Sequence, residues 1–355
     1  ENLDITAVVG LPYVAEQTLY NCAAVVNGGR IKGLVPKLNI PNYAEFYEAR
    51  HFTAGKNEVT YVNINGEEVP FGANILFKTD ACEDFVLAVE ICEDLWTAMP
   101  PSVNHALAGA TVIVNCSASD EVVGKDSYRR YREMLVKSQS AKLYCGYIYS
   151  DAGYGESTTD LVFAGDNMIA ENGTILARSK RFNNECVYIE LDLERLVGER
   201  KKSNTYNIVG SEKYVCVKLD MNIGDTKITR YVDKQPFVPS DDKKREKRSE
   251  EILSIQSLGL KKRLDHTHAK TAVVGVSGGL DSTLALLVTV RAFDSLNIDR
   301  KNIIAVTMPC FGTTDRTYNN AVNFANSLGV TLKEVNIKAA VNQHFADIEH
   351  DPNVY

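Results

Sequence analysis

The 355-residue chain lacks the features that would place it at once in several large classes. It has no basic excess: 39 Lys and Arg stand against 46 Asp and Glu, a net charge of −7. The electrostatic footprint of sequence-independent nucleic-acid binding is therefore missing, and no nucleic-acid partner is expected. Its eight cysteines, at 22, 82, 92, 116, 145, 186, 216 and 310, form no CxxC pair and no tight cluster. That argues against a zinc site or a disulfide scaffold and fits a reducing cytoplasm. No apolar run nears the roughly 20 residues of a membrane span, and Glu1-Asn2-Leu3-Asp4 has no signal-peptide pattern. Internal repeats and low-complexity stretches are also lacking. The expectation is a soluble, cytoplasmic protein with no membrane partner, long enough for two or three domains.

What is present is an alternation of short apolar runs and helical stretches. Up to about residue 200, Ala7–Gly10, Val86–Val89, Thr111–Val114 and Cys145–Tyr149 read as buried strands, being short and rich in β-branched and aromatic residues. The spacing of Tyr128, Tyr131, Leu135, Ser138 and Ala141 predicts a helix over Asp126–Lys142. The next forty residues mix polar residues and two prolines with a strand-like Val215–Leu219, a structured connector. Ser240-Asp241-Asp242 then reads as a helix N-terminus, with Ile252, Ile255, Leu258 and Leu260 on one face. The charge run Lys243–Glu251 is most simply that helix's solvated side. From Thr271 onward the order is strand 272–276, helix 282–293, strand 303–308, helix 317–328 and strand 331–336, which implies right-handed βαβ units and a parallel sheet.

Ser277-Gly278-Gly279-Leu280-Asp281-Ser282 sits at the first strand-to-helix turn of that second part. Ligands of parallel sheets bind at such turns, where helix N–H groups are free. Paired glycines let the backbone approach a bulky anion, the hydroxyls of Ser277 and Ser282 add donors, and the helix N-terminus favours negative charge. Asp281 pointed at a phosphate requires a cation between them, so the turn reads as a site for a nucleotide with Mg²⁺, Asp281 being the metal residue. The plainer reading is a turn whose glycines serve packing alone. The lysine of a P-loop is missing, which suits cleavage between the α and β phosphates. Val89-Glu90-Ile91-Cys92-Glu93-Asp94-Leu95-Trp96 sets a cysteine at a strand end among three carboxylates, which by themselves raise a thiol pKa. Lys37, at the end of another apolar run, is the candidate offsetting cation.

The SGGLDS turn resembles the ATP pyrophosphatase group, which activates a carboxylate or carbonyl as an adenylate. The stretches PKLNIPNYAEFYEARHF and EICEDLW resemble the nitrilase superfamily, and with YGESTTDLVFAGDNMIAENG they look like the glutaminase half of glutamine-dependent NAD synthetases. The resemblance covers essentially the whole chain. It implies an αββα sandwich over 1–205, a connector over 206–240, and a doubly wound, Rossmann-like synthetase domain over 241–355.

Position by position, the resemblance makes Cys92 the nucleophile, Lys37 the stabiliser of the tetrahedral oxygen and Glu48 a second glutamate beside that lysine. Tyr43, Ser119 and Lys125 match glutamine-holding positions. Ser277, Gly278, Gly279, Asp281, Ser282 and the backbone of Met308 match the ATP site. Thr314, Arg316 and Thr317 match a loop facing phosphate or deamido-NAD, a stretch that reads equally as a helix cap with an exposed arginine. The implied substrates are glutamine, ATP and deamido-NAD, ammonia passes between the domains, and the assembly is a homo-oligomer.

Two departures shape the expectation. The family's general-base glutamate falls before residue 1, and the family's synthetase domain continues past residue 355. The expectation is a chain short at both ends and with little activity by itself. Two other readings remain: a freestanding nitrilase-type amidase with a non-synthetic C-terminal region, and a non-catalytic interaction protein. Within the pyrophosphatase group, neither basic surface nor zinc-type cysteines favour a tRNA-modifying enzyme. None of the six histidines forms the nucleophile–base pattern of a Cys-His-Glu glutaminase.

Overall fold

The computed structural model describes residues 5–125, 130–156, 161–224 and 226–351. The chain divides into two compact units, Glu1–Val232 and Asp233–Tyr355. Among the described residues no helix is long and apolar enough to cross a membrane.

The first unit begins with β1 (Thr6–Ala15), β2 (Thr18–Asn27) and β3 (Arg30–Pro36), joined by two-residue hairpin turns. Both central residues of each turn have positive φ, 47° and 66° at Glu16-Gln17 and 58° and 74° at Gly28-Gly29. That conformation matches the strands' own twist. With β4 (Thr60–Ile64) and β5 (Glu67–Phe71) they form a sheet ordered β1-β2-β3-β5-β4.

A second sheet contains β6 (Ile75–Thr79), β7 (Cys82–Ile91), β8 (Val112–Ser117), β9 (Gly146–Asp151), β10 (Met168–Glu171), β11 (Thr174–Arg178) and β12 (Val215–Lys218). Its order is β11-β10-β9-β8-β7-β6-β12, with β7, β8 and β9 parallel at the centre. β12 lies within residues 206–240 and pairs parallel to β6, so part of that segment completes the sheet.

The side-chain period of two builds two cores from one strand. Leu87, Val89 and Ile91 of β7 pack with Ala23, Val25 and Val35 between the sheets. Val86 and Ala88 point the other way, into a layer that includes α1 (Pro101–Leu107) and α2 (Tyr131–Leu143). Each such side chain contributes roughly 1.5–3 kcal/mol when fully buried. Another helix, α3 (Leu193–Lys202), inserts Arg200 into the carbonyls of Ala110 and Leu143 at 2.6 and 3.0 Å. Among the described residues the outer face of the first sheet carries no helix, so the sandwich reads there as two sheets and one helical layer.

The second unit starts with α4 (Asp242–Thr267), capped by Asp241, whose carboxylate accepts the N–H of Lys244 at 2.8 Å. Then β13 (Ala272–Gly275), α5 (Leu280–Ser295), β14 (Ile303–Thr307), α6 (Asp315–Leu328), β15 (Thr331–Glu334) and α7 (Lys338–Asp347) follow. The three strands are parallel in the order β13-β14-β15. These boundaries lie within two residues of those read from the sequence, apart from the helix of the last segment, α7, which the sequence reading omitted.

Two helix faces differ from expectation. On α4, Ile252, Ile255 and Leu258 are exposed, while Ser257, Leu260 and Leu264 turn inward. On α2, Tyr131, Ser138 and Ala141 are exposed, and the buried stripe is Arg132, Val136, Gln139, Ser140 and Leu143. Polarity misassigned α2 because Arg132 and Gln139 have buried partners that release them from solvent. Asp126 and Tyr128 lie outside the described residues.

Candidate active site

β7 ends at Ile91, and the next residue, Cys92, has φ 47° before a 3-10 turn over Cys92–Trp96. Left-handed backbone at a non-glycine residue costs of order 1–3 kcal/mol and persists where its surroundings enforce it. Two side chains do so. Asn115, within β8, accepts the Cys92 N–H at 2.9 Å. Asp94 accepts the Ile91 N–H at 3.0 Å and, with its other oxygen, the N–H and side-chain amide of Asn39 at 2.9 and 2.7 Å. Asp94 thus ties the cysteine turn to the loop that follows Lys37.

Lys37 directly follows β3 and is 3% exposed. Its ammonium donates to Glu48 Oε2 at 2.5 Å, and the other Glu48 oxygen accepts from Asn21 at 2.7 Å. Lys37, Glu48 and Cys92 all line one cleft of about 700 Å³, together with Asn21, Glu93, Cys116 and Asp151. Lys37 and Cys92 thus line the same cleft, and the ammonium is paired with Glu48.

The three carboxylates near the cysteine do not surround it. Glu90 points to the helical side of the sheet, because the pleat of β7 puts it on the same face as Val86 and Ala88, whereas the left-handed backbone at Cys92 takes the thiol out of that alternation. There it accepts the Ser102 N–H at 2.8 Å and the Tyr147 hydroxyl. Burial pushes its carboxyl up to about 7. Burial likewise raises Asp94, although Ile91 and Asn39 donate to its charged form. Glu93 accepts the Tyr43 hydroxyl at 2.8 Å at the cleft's edge. The neighbouring thiol, Cys116, is driven to about 11 by burial.

Ser119 and Lys125 are not among the lining residues. The Ser119 hydroxyl faces the buried Arg132 guanidinium at 3.3 Å. The Lys125 ammonium donates to the carbonyl and carboxylate of Asp120 at 2.6 and 3.0 Å and lies 5.4 Å from the Trp96 ring centroid. Arg132 also meets Glu121 at 2.7 Å and Asp166 at 3.0 Å. Asp151, 3.9 Å from Arg132, has its carboxyl raised to about 7 by burial.

Sequence reasoning did not single out Asn21, Asn115, Arg132 or Asp151. Asn21 and Asn115 lie inside strands, Arg132 in a helix and Asp151 at a strand end, and a lone polar residue in such a place carries no pattern of its own.

In the second unit, Gly278 has φ 80°, and a Cβ placed on it would lie 1.9 Å from the Thr317 carbonyl oxygen. The turn therefore abuts the first turn of α6. The Ser277 and Ser282 hydroxyls are 3.2 Å apart, and the Ser282 hydroxyl accepts the Ser277 N–H at 3.2 Å. Gly279 caps α5, and Asp281 is exposed in its first turn. Met308 is exposed just past β14. Thr314 caps α6, its hydroxyl accepting the Thr317 N–H at 3.3 Å, and Arg316 is exposed beside it. The structure gives Thr314 its capping role, and nothing in that role conflicts with a phosphate at the same helix end.

A strand-end cysteine in strained backbone, facing a buried lysine–glutamate pair between two packed sheets, defines a carbon-nitrogen hydrolase fold and site. The chain belongs to the carbon-nitrogen hydrolase family, whose model matches residues 1–201. Residues 252–354 match the NAD synthase family. The curated relatives that the chain resembles across both parts are glutamine-dependent NAD(+) synthetases. That of Mycobacterium tuberculosis is 41% identical over 340 residues, 93% of this chain and 50% of the relative. That of Aquifex aeolicus is 30% identical over 357 residues, 99% of this chain and 55% of the relative. A crystal structure of a glutamine-dependent NAD(+) synthetase from Cytophaga hutchinsonii covers 98% of this chain and 54% of its own, at 23% identity and a TM-score of 0.46. The chain spans about half the length of the curated relatives it matches.

Proposed function

We propose that the chain acts as a glutamine-dependent NAD(+) synthetase, a carbon–nitrogen ligase in which the first unit is the glutaminase. The observation that carries this reading is the convergence of Cys92, Lys37 and Glu48 on one cleft. Cys92 Sγ attacks the side-chain carbonyl carbon of glutamine. Lys37 stabilises the oxygen that becomes anionic, and Glu48 keeps the ammonium aimed and charged. The carbon–nitrogen bond breaks, the thiol proton leaves with nitrogen as ammonia, and water hydrolyses the thioester to glutamate. Tyr43, Ser119 and Lys125 hold glutamine in this proposal. For Lys125 that requires exchange of Asp120 for the substrate α-carboxylate, a charge-assisted bond of the same kind.

The second unit takes the ammonia. The Gly278 turn, the Ser277 and Ser282 hydroxyls and the α5 N-terminus fit the phosphates of ATP. Met308 faces adenine through its backbone, and Thr314, Arg316 and Thr317 face phosphate or deamido-NAD. Among the described residues no group of three His, Cys, Asp or Glu could hold a metal alone, so Asp281 would hold Mg²⁺ together with phosphate oxygens. Bound there, the ion neutralises the leaving pyrophosphate. The nicotinate carboxylate of deamido-NAD becomes an adenylate, and ammonia displaces AMP to give NAD. A cytoplasmic location with no nucleic-acid or membrane partner completes the proposal, supported by the net charge of −7 and eight unpaired cysteines, and the homo-oligomer is what the family resemblance implies.

The test supplies [amide-¹⁵N]glutamine, deamido-NAD, ATP-Mg²⁺ and unlabelled ammonium to the protein at the length its gene encodes. Label in the carboxamide of NAD, lost in Cys92→Ala while free ammonium still supports synthesis, is the expected result. Glutamine hydrolysis with no NAD from either nitrogen source would replace the reading with a simple amidase.

A further inference from the structure

The backbone of Cys92 is joined to buried polar groups on the helix-side face of the central sheet by an unbroken chain of hydrogen bonds. Cys92 N–H donates to Asn115 Oδ1 at 2.9 Å, and Asn115 Nδ2 donates to the Tyr147 hydroxyl oxygen at 3.2 Å. The Tyr147 hydroxyl donates to Glu90 Oε1, and the other Glu90 oxygen accepts the Ser102 N–H at 2.8 Å. Asn115 and Tyr147 are fully buried and Glu90 is 1% exposed. The chain therefore runs along the helix-side face of the sheet, over β7, β8 and β9, with no solvent to substitute for a lost link.

We propose that Asn115, Tyr147 and Glu90 act together as positioning residues for the Cys92 nucleophile. The assignment rests on Cys92 being the reacting thiol of the preceding section. Its physical content is directionality. A backbone N–H only donates, so Cys92 must meet the Asn115 oxygen, and the donors then run in one direction from Cys92 through Asn115 and Tyr147 to Glu90. That polarity leaves Asn115 one orientation: its amide nitrogen must face Tyr147 and its oxygen must face Cys92. The oxygen then holds the cysteine N–H in the left-handed conformation that sets the thiol over the cleft. Buried polar networks specify geometry when each member is satisfied and lose it when one is removed. Buried polar side chains such as Asn115 and Glu90 are retained in a core where they are hydrogen-bonded, as both are here.

The test reads the thiol directly and needs no glutamine turnover. Carboxamidomethylation of Cys92 by iodoacetamide is followed by mass spectrometry on the full chain, beside the amide ¹H–¹⁵N signal of Cys92. Tyr147→Phe removes one oxygen and keeps the ring. The expected result is at least a fivefold fall in the Cys92 rate and a displaced Cys92 amide signal. Val136→Ala is the control, since it opens the same helix-side core without touching the chain, and it is expected to leave both readouts at wild-type values. Should Tyr147→Phe fail to fold, Asn115→Asp keeps the acceptor for Cys92 and removes the donor to Tyr147, with the same expected fall. A wild-type rate in the link variants, or an equal fall in Val136→Ala, overturns the proposal. Neither outcome bears on glutamine hydrolysis, which the isotope experiment decides separately.

Discussion

Gly278 and Gly279 are neighbours in one motif, yet alanine at the two positions should have very different consequences. At Gly278 the backbone has φ 80°, and the new Cβ would sit 1.9 Å from the Thr317 carbonyl oxygen. Left-handed backbone costs an alanine about 1–2 kcal/mol. Real Cβ atoms essentially never come within 3.0 Å of such a neighbour, so the turn and α6 must separate, an overpacking cost of about 1–3 kcal/mol. Together these predict that Gly278→Ala lowers the stability of the second unit by about 2–5 kcal/mol. At Gly279 φ is −88°, and the nearest atom is the Ser277 hydroxyl at 3.4 Å, an ordinary contact. The small loss from a poorer helix cap is offset by a stiffer unfolded chain, so Gly279→Ala should stay within about 1 kcal/mol. Hydrogen exchange of β13, β14 and β15 amides, read by mass spectrometry, isolates this unit from the first. Gly278→Ala indistinguishable from wild type, or Gly279→Ala equally damaging, would refute the reasoning.

Further outcomes follow from the first unit. Lys37→Met leaves Glu48, 17% exposed, with Asn21 alone. It should abolish γ-glutamyl thioester formation, observable by intact mass after rapid quenching, and cost about 1–3 kcal/mol in urea unfolding. Arg132→Met leaves Glu121 with Arg181 and Asp166 with Arg178 but removes the cation beside buried Asp151, and a loss of about 1–3 kcal/mol is expected; an unchanged unfolding midpoint would contradict it. Glu90 rises from 4.5 to about 7 on folding. The stability linked to its proton is therefore full below pH 4.5 and lost as pH rises through 7. Tyr147, Asp94 and Cys145 face it, and only the Tyr147 and Ser102 bonds favour the charged form. Between pH 4.5 and 8 wild type should lose about 3 kcal/mol relative to Glu90→Gln. Parallel pH curves for the two proteins in denaturant titrations would show that Glu90 does not titrate in that window.

The second unit was the more legible because a parallel βαβ arrangement announces each element with its own period and punctuation. Asp241, Gly279 and Thr314 cap helices where their residue types predict. The helix faces were less legible. Ile252, Ile255 and Leu258 share a helical spacing, yet the face with Ser257, Leu260 and Leu264 is the packed one. Arg132 and Gln139 look solvated and are buried. Periodicity reports that a helix has an apolar stripe, and only the charges and carbonyls opposite it decide whether a polar side chain joins that stripe.

At the candidate site, Cys92, Lys37 and the Ser277–Ser282 turn could be singled out from local sequence as candidates, because a nucleophile or a phosphate-binding turn needs particular atoms at strand ends. The sequence also determined the order of strands and helices, through apolar runs that can be buried only as such. Tertiary structure alone decided which polar groups meet. It turned Glu90 away from the thiol by the pleat of β7, joined Glu48 to Lys37, and brought Asn115 under Cys92 from a neighbouring strand. Those pairings depend on sheet register and on the separation of buried oxygens and nitrogens by a few ångströms. A linear chain does not encode such distances locally, because residues far apart in sequence acquire them only when the strands between them have paired.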